Sequence, residues 1–258
     1  MFSWVHPHKK PLIVAHRGSS NQAPENTLGA FQRAVDESAD AIELDVRCTA
    51  DGEVIVFHDA YLRRTTNGTG LVEHKTLRQL RTLSAGSWFG RPFEGENIPT
   101  LDETIGLING RLGINIEIKS GGRSRPHDEI VDRCDSIVRN HHAESLVLYS
   151  SFQHRYLEYL KRSHPHLAVG YLYHVIRIPR RLTGRPAQRR RGDYLVVSSA
   201  GLRPRFVERA HREGLLVGTF TVNTPPQLVR ALRMGVDAIF TDEPGGIRNS
   251  LPAIDLIL

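Results

Sequence analysis

Short apolar runs alternate along this chain with stretches whose apolar residues recur every three to four positions. The run at 12–15 stops at His16-Arg17-Gly18, and after a polar loop Leu28, Phe31, Ala34 and Val35 recur at helical spacing. Residues 41–46 form the next predicted strand. An Asp51-Gly52 turn then leads into an apolar run at 54–57 that ends at His58-Asp59. Residues 60–100 break the rhythm, with glycines at 68, 70, 86, 90 and 95 and only a short helix expected near 76–83. Beyond them the pattern predicts helices at 101–108, about 127–140, about 154–162, 204–213 and 225–234. They alternate with strands at 113–118, 146–149, 168–171, 194–197, 216–220 and 238–240.

Alternation of strand and helix with short connections implies parallel βαβ units. Setting the run at 54–57 aside with the irregular stretch leaves eight such strands, and eight in a chain of 258 residues imply a closed barrel. The expected fold class is therefore α/β, a (β/α)8 TIM barrel. It forms one domain over 1–258, with an insertion at about 58–100 after the second barrel strand.

Barrel strands are covered on both faces and should be apolar throughout. Two of them depart from this in the same way. In residues 41–46, Ile42, Leu44 and Val46 share one face, while Glu43 and Asp45 share the other. In residues 113–119, Ile114, Ile116 and Ile118 oppose Asn115, Glu117 and Lys119. Turning the isoleucines towards the helices sends Glu43, Asp45 and Glu117 into the barrel mouth. Buried carboxylates need compensation. Spacing alone admits two forms of it: ion pairs with Lys119 and Arg17, or a divalent cation. All-oxygen ligands favour Mg²⁺ or Ca²⁺, with Mn²⁺ as the alternative.

His16 and His58 each follow an apolar run directly, the position of catalytic residues in a barrel. Imidazoles exchange protons near neutral pH. Arg17, next to His16, has the fork geometry for a phosphate.

These residues stand within a longer ordered set. It comprises Ala15-His16-Arg17-Gly18, Pro24-Glu25-Asn26-Thr27, Glu43-Leu44-Asp45-Val46, His58-Asp59, Asn115-Ile116-Glu117-Ile118-Lys119, Thr221-Val222-Asn223 and Thr241-Asp242-Glu243-Pro244. Over roughly residues 12–245 the set resembles the glycerophosphodiester phosphodiesterases, with the spider-venom sphingomyelinase D enzymes as more distant relatives. The resemblance implies a (β/α)8 fold whose segment around 58–100 is the family's insertion. It implies that Glu43, Asp45 and Glu117 hold a divalent ion, that His16 and His58 are the catalytic pair, and that Arg17 and Lys119 bind the phosphate. Glu25 either supports the site or serves at the start of the following helix. Where the family often has Trp before Thr-Val-Asn, this chain has Phe220, which keeps an apolar contact in the substrate cleft and lacks the indole donor. This departure bears on leaving-group preference.

The implied reaction is metal-dependent hydrolysis of a small-molecule glycerophosphodiester to glycerol 3-phosphate and an alcohol. His16 is the expected base or nucleophile, and His58 the expected proton donor to the leaving alcohol. The attacking group is either water or the glycerol's own neighbouring hydroxyl, and the two histidine roles are interchangeable at this level. The resemblance associates such an enzyme with lipid and glycerol metabolism, as a scavenger of glycerol phosphate.

A formal charge of +6 suits an anionic substrate, and equally an anionic membrane face or nucleic acid. Six arginines between 180 and 191 concentrate that charge in one segment. It reads as a solvated loop or as an anion-facing lip. Two readings compete with the soluble diesterase. One is a lysophospholipase D using the same ions and histidines. The other is a non-catalytic phosphoryl-binding or nucleic-acid-binding barrel, disfavoured by the intact His, Glu, Asp and Lys set. A phosphatidylinositol-specific phospholipase C fits the motifs less well. Cys48 and Cys134 form no disulfide framework or zinc site. No segment approaches the roughly 18 apolar residues of a membrane span. The expectation is a cytoplasmic protein without a stable membrane anchor and without a nucleic-acid partner. Nothing in the pattern specifies an oligomeric state.

Overall fold

The strands close on one another because β1 pairs with both its sequence neighbour and the last strand. In the computed structural model, which describes residues 2–6, 8–119, 127–173 and 193–255 (backbone only at 127–128 and 252–255), β1 (Leu12–His16) lies parallel to β2 (Ala41–Cys48) and to β9 (Ala238–Thr241). Between them run β4 (Gly113–Ile118), β5 (Val147–Ser151), β6 (Ala168–Tyr173), β7 (Tyr194–Ser198) and β8 (Leu216–Phe220), each parallel to its neighbour. The three-residue β3 (Val54–Val56) pairs antiparallel with the far end of β2 and stands outside the closed ring. The result is the expected eight-stranded parallel barrel. The arginine-rich stretch lies outside the described residues.

Period-two alternation sorts the strand residues into two layers. Ile42, Leu44, Val46, Ile114, Ile116 and Ile118 face outward and are buried beneath the helices. Those helices are α1 (Leu28–Asp36), α3 (Leu101–Ile108) and α4 (His127–Asn140), followed by α5 (His154–Ser163), α6 (Pro204–Arg212) and α7 (Pro225–Arg233). Burying each such aliphatic side chain contributes about 1.5–3 kcal/mol. Thr27, Thr100 and Thr224 cap α1, α3 and α7 through their side-chain oxygens. The last two form reciprocal boxes with Glu103 and Gln227.

A second apolar cluster fills the lower half of the barrel. Leu12, Val14, Ala41, Leu148, Tyr194 and Ala238 surround Trp4, whose ring meets Tyr194 edge-on at 5.9 Å. The Trp4 indole N–H donates to the Leu146 carbonyl at 2.8 Å, so the N-terminal arm is a plug in the barrel floor. Phe2 continues this cover. A Cβ on Gly113 would lie 2.1 Å from the Phe2 ring, which is why glycine opens β4. In sequence the arm carries His6, His8, Lys9 and Lys10, so its polar composition conceals the plug.

Residues 57–100 carry three short 3₁₀ turns and α2 (Leu77–Leu80), shorter than the helix expected there. Phe57, Leu62, Val72, Leu80, Ala85 and Ile98 make a third apolar cluster around Ile55. One helix was not anticipated, α8 (Pro244–Asp255). Its two glycines and internal proline lower helix propensity, and tertiary burial of Ile247 and Leu251, four residues apart, favours it instead.

Candidate active site

Strand register brings the acidic positions to one level of the barrel. His16 lies opposite Glu43, Glu43 opposite Asn115, and Asp45 opposite Glu117. Glu43, Asp45 and Glu117 are buried, and each offers an oxygen within 4.8 Å of the other two. The inward turn expected for these side chains is what the barrel shows.

The loop after β1 supplies the rest of that wall. Arg17 and Asn26 adopt left-handed backbone (φ 57° and 59°), an uncommon state for residues other than glycine. Gly18 follows at φ 83°, with Ala30 so close that a Cβ would meet its backbone at 2.7 Å. This turn directs the Arg17 amide N–H to Glu43 Oε2 at 3.0 Å, and the Asn26 side-chain amide donates to Asp45 Oδ2 at 2.7 Å. The Arg17 guanidinium donates to Glu25 at 2.8 Å and stands 3.3 Å from Asp45. Thr27, not Glu25, caps the following helix, and Glu25 instead accepts from Arg17 and Arg64.

Lys119 contacts Asp45 at 2.9 Å and also pairs with Glu117. Both modes of compensation read from the spacing are therefore to be weighed here. Two cations face three acids, and Arg17 is shared with Glu25. Burial would raise Asp45, but Lys119 and Arg17 hold it far below the usual carboxylate range. Burial and the neighbouring Asp45 charge push Glu43 up to about 8 and Glu117 up to about 7, against the opposing charges of Arg17 and Lys119. The protein's own cations thus only partly offset the cost of burying Glu43 and Glu117 as anions. Three converging carboxylate oxygens with residual negative charge fit a hard divalent ion.

Each histidine is anchored through Nδ1 to a carboxylate. His16 Nδ1 lies 2.7 Å from Asp242 Oδ1, and His58 Nδ1 lies 2.6 Å from Asp59 Oδ1. Asp242 in turn accepts from Asn223 at 2.6 Å and from Ser20 at 3.2 Å. Burial would raise Asp242, but the hydrogen bond and charge of His16, with those two donors, hold it below its ordinary value. Burial would likewise raise Asp59, and the hydrogen bonds from Arg64 and His58 pull it down to about 2. Both carboxylates stay ionised at neutral pH, which fixes the ring proton on Nδ1 and leaves Nε2 for chemistry. For His58, burial lowers the pKa. Lys119 and Arg17 add to this, and Asp45 and Asp59 oppose it.

Arg64 completes a chain of charges. It donates to Asp59 at 2.6 Å and, with both terminal nitrogens, to Glu25 at 2.8 Å. His58 is thereby linked through Asp59, Arg64, Glu25 and Arg17 to Asp45. Asp242, Asn223, Asp59, Asn26 and Arg64 were not singled out from the sequence as site residues. Adjacency to His58 was a signal for Asp59. For Asp242, 226 residues from its histidine, only the motif Thr241-Asp242-Glu243-Pro244 pointed there.

A cavity of about 500 Å³ opens over this cluster. His16, Arg17, Glu43, His58, Glu117 and Lys119 line one side, and Phe152, Leu172, Val196, Phe220 and Phe240 the other. Phe152 and Phe220 meet edge to face at 6.2 Å. Phe220 is therefore in the cleft, whereas Tyr149 is buried in the layer between barrel and helices, and Cys48 packs partly buried against that layer. His6 and His8 are exposed on the arm.

Comparison with known proteins gives concordant results. The family model described as the glycerophosphoryl diester phosphodiesterase family matches residues 16–246. A glycerophosphodiester phosphodiesterase of Caldanaerobacter subterraneus subsp. tengcongensis is 39% identical over 241 residues, covering 93% of this chain and 97% of that protein. The structure of an Oleispira antarctica phosphodiesterase in complex with the product sn-glycerol-3-phosphate superposes with a TM-score of 0.88. It is 33% identical over 94% of this chain and 97% of its own. A glycerophosphodiester phosphodiesterase from Agrobacterium tumefaciens str. C58 superposes at 0.80, with 30% identity over 93% and 100% of the two chains.

Proposed function

The chain belongs to the glycerophosphoryl diester phosphodiesterase family, and from that premise we propose that it hydrolyses small glycerophosphodiesters to glycerol 3-phosphate and an alcohol with one divalent cation and two histidines. The observation that carries this reading is the placing of His16 and His58, each with Nδ1 on a carboxylate, in one cavity with Glu43 and Glu117 of the buried acidic triad.

Glu43, Asp45 and Glu117 would hold the cation, Mg²⁺ or Ca²⁺ with Mn²⁺ as the alternative. When bound, such an ion supplies Lewis-acid stabilisation of charge on the phosphate oxygens. Arg17 and Lys119, both lining the cavity, would bind the non-bridging oxygens. His16, with its Nδ1 proton held by Asp242, presents a basic Nε2 to the attacking group. That group is water, or the glycerol hydroxyl on the way to a cyclic phosphate. His58, oriented by Asp59, donates from Nε2 to the departing alkoxide. Its lowered pKa makes the imidazolium the stronger acid, and the bound phosphate anion favours its protonation.

The apolar wall of Phe152, Leu172, Val196 and Phe220 favours one second reading, a lysophospholipid whose acyl chain lies on that wall. The non-catalytic barrel is set aside by family membership. The test is turnover by EDTA-stripped protein of glycerophosphocholine, glycerophosphoethanolamine and a lysophospholipid, before and after Mg²⁺, Ca²⁺ or Mn²⁺ is added. Metal-restored release of glycerol 3-phosphate from the soluble diesters is expected. Release from the lysophospholipid alone would transfer the function to a lipid substrate. Full turnover without metal would remove the cation from the mechanism.

A further inference from the structure

We propose that the preferred leaving alcohol is itself anionic, carrying a second phosphate, and that it binds in a basic pocket on the far side of His58. The inference rests on the diesterase reading above and deepens it by naming the leaving group.

A second cavity, open and about 690 Å³, adjoins the carboxylate site. His58 and Lys119 line both cavities. The imidazole assigned as proton donor therefore stands on the boundary between them. The glycerol phosphate that stays bound belongs with the carboxylates and His16 on one side. The group that takes the proton of His58 has the second cavity on the other, so Phe220, expected from the sequence to bear on the leaving group, lines the side of the retained glycerol phosphate instead. The bond broken is the phosphorus–oxygen bond to that alcohol. Its oxygen leaves with the proton of His58, and water supplies the oxygen that replaces it.

The charge of the second cavity selects what can leave into it. Arg47, Arg63, Arg64 and Lys119 line it, against one carboxylate, Asp59. Asp59 is already engaged by His58 and Arg64. Lys119 and Arg64 are partly neutralised by Asp45, Glu117 and Glu25. Arg47, whose Nε–H donates to the His58 carbonyl at 2.9 Å, is also partly offset by the charges of Asp45, Asp59 and Glu73, and Arg63 is exposed at the rim. A cluster of guanidinium groups is suited to phosphate. A trimethylammonium head group meets the opposite conditions. Its usual receptor is a set of aromatic faces; this cavity offers one aromatic ring, Tyr61, itself 58% exposed, among four cations.

The experiment compares kcat/KM of the metal-loaded full chain for four diesters: glycerophosphocholine, glycerophosphoglycerol, glycerophosphoglycerol with a terminal phosphate monoester, and bis(glycerophospho)glycerol, whose second phosphate is a diester. The last two distinguish the two sources of the second phosphate. The expected order is anionic above neutral above cationic, with the difference shrinking as salt screens it. Arg63→Glu should shift the ratio of anionic to choline substrate by roughly two- to tenfold, the range for reversing one exposed charge. Equal or better turnover of glycerophosphocholine, or an Arg63→Glu effect uniform across the four, would overturn the inference and leave the diesterase reading intact. No turnover of any of them would remove both.

Discussion

The two ends of the barrel interior are built from the same strands and the same inward-facing positions, yet they are chemically opposite. At the floor, Leu12, Val14, Ala41 and Tyr194 close around Trp4. Further along the same strands and their neighbours the inward positions are His16, Glu43, Asp45 and Glu117. The floor is sealed by the N-terminal arm, so an ionised group there would lose its hydration without a partner. The mouth has a cavity, a paired Arg17 and Lys119, and room for a cation. Height along the strand, not strand identity, decides whether a side chain serves folding or chemistry.

Replacing residues at one end should therefore leave the property of the other untouched. The largest effect is expected at the mouth, where His16→Ala or His58→Ala should each lower kcat by about 10²–10⁴-fold through loss of proton transfer. Circular dichroism should show an unchanged thermal midpoint, and near-full turnover in either variant would end its role as acid or base. At the floor, Trp4→Ala should cost about 3–5 kcal/mol of stability by opening a cavity. Urea denaturation reads that loss. Well below the unfolding transition kcat should be close to that of the parent, and a loss of kcat in step with stability would show that floor and mouth are coupled.

A subtler variant sharpens the comparison inside the mouth. Asp242→Asn keeps the shape but removes the charge that fixes the His16 tautomer, so kcat should fall by about 10–100-fold. Cation affinity should stay constant, because Asp242 is not among the three converging carboxylates. A weakened cation and an unchanged kcat would assign Asp242 to the metal instead.

A last effect, on the cation and not on kcat, concerns protons. Glu43 and Glu117, both raised by burial and the Asp45 charge to about 8 and about 7, are expected to carry protons part of the time in the cation-free site near neutral pH and to lose them when a cation binds. Apparent cation affinity should therefore rise with pH up to about 8 and fall as pH drops below about 7. The slope should approach about tenfold per pH unit for each proton released. Calorimetry at pH 7 in two buffers of different ionisation heat measures that release. None at all would mean that the carboxylates are already ionised without the cation.

Much of this was legible in the sequence, and what was legible is local. Period-two alternation at 41–46 and 113–118 put three carboxylates on inward faces without any tertiary information, because each pattern lies within one strand. The eight strand–helix units and the strand-end positions of His16 and His58 are equally short-range features. Glu25 was readable as a residue of interest, but not in its role, which depends on where Arg64 folds back 39 residues later.

By itself, then, the sequence determined the strand and helix rhythm, the inward faces and the ordered motif set that placed the chain in its family. Tertiary structure alone decided three things. Asp242 meets His16 because β1 pairs with β9 and closes the barrel. Trp4 becomes the floor, although His6, His8, Lys9 and Lys10 follow it closely in the chain. Arg47, Arg63 and Arg64 join Lys119 around one cavity beside His58. The physical reason is the same in each case. Hydrophobic periodicity is set by neighbours within a few residues, whereas barrel closure and charge pairing join positions far apart in the chain, which no local pattern encodes.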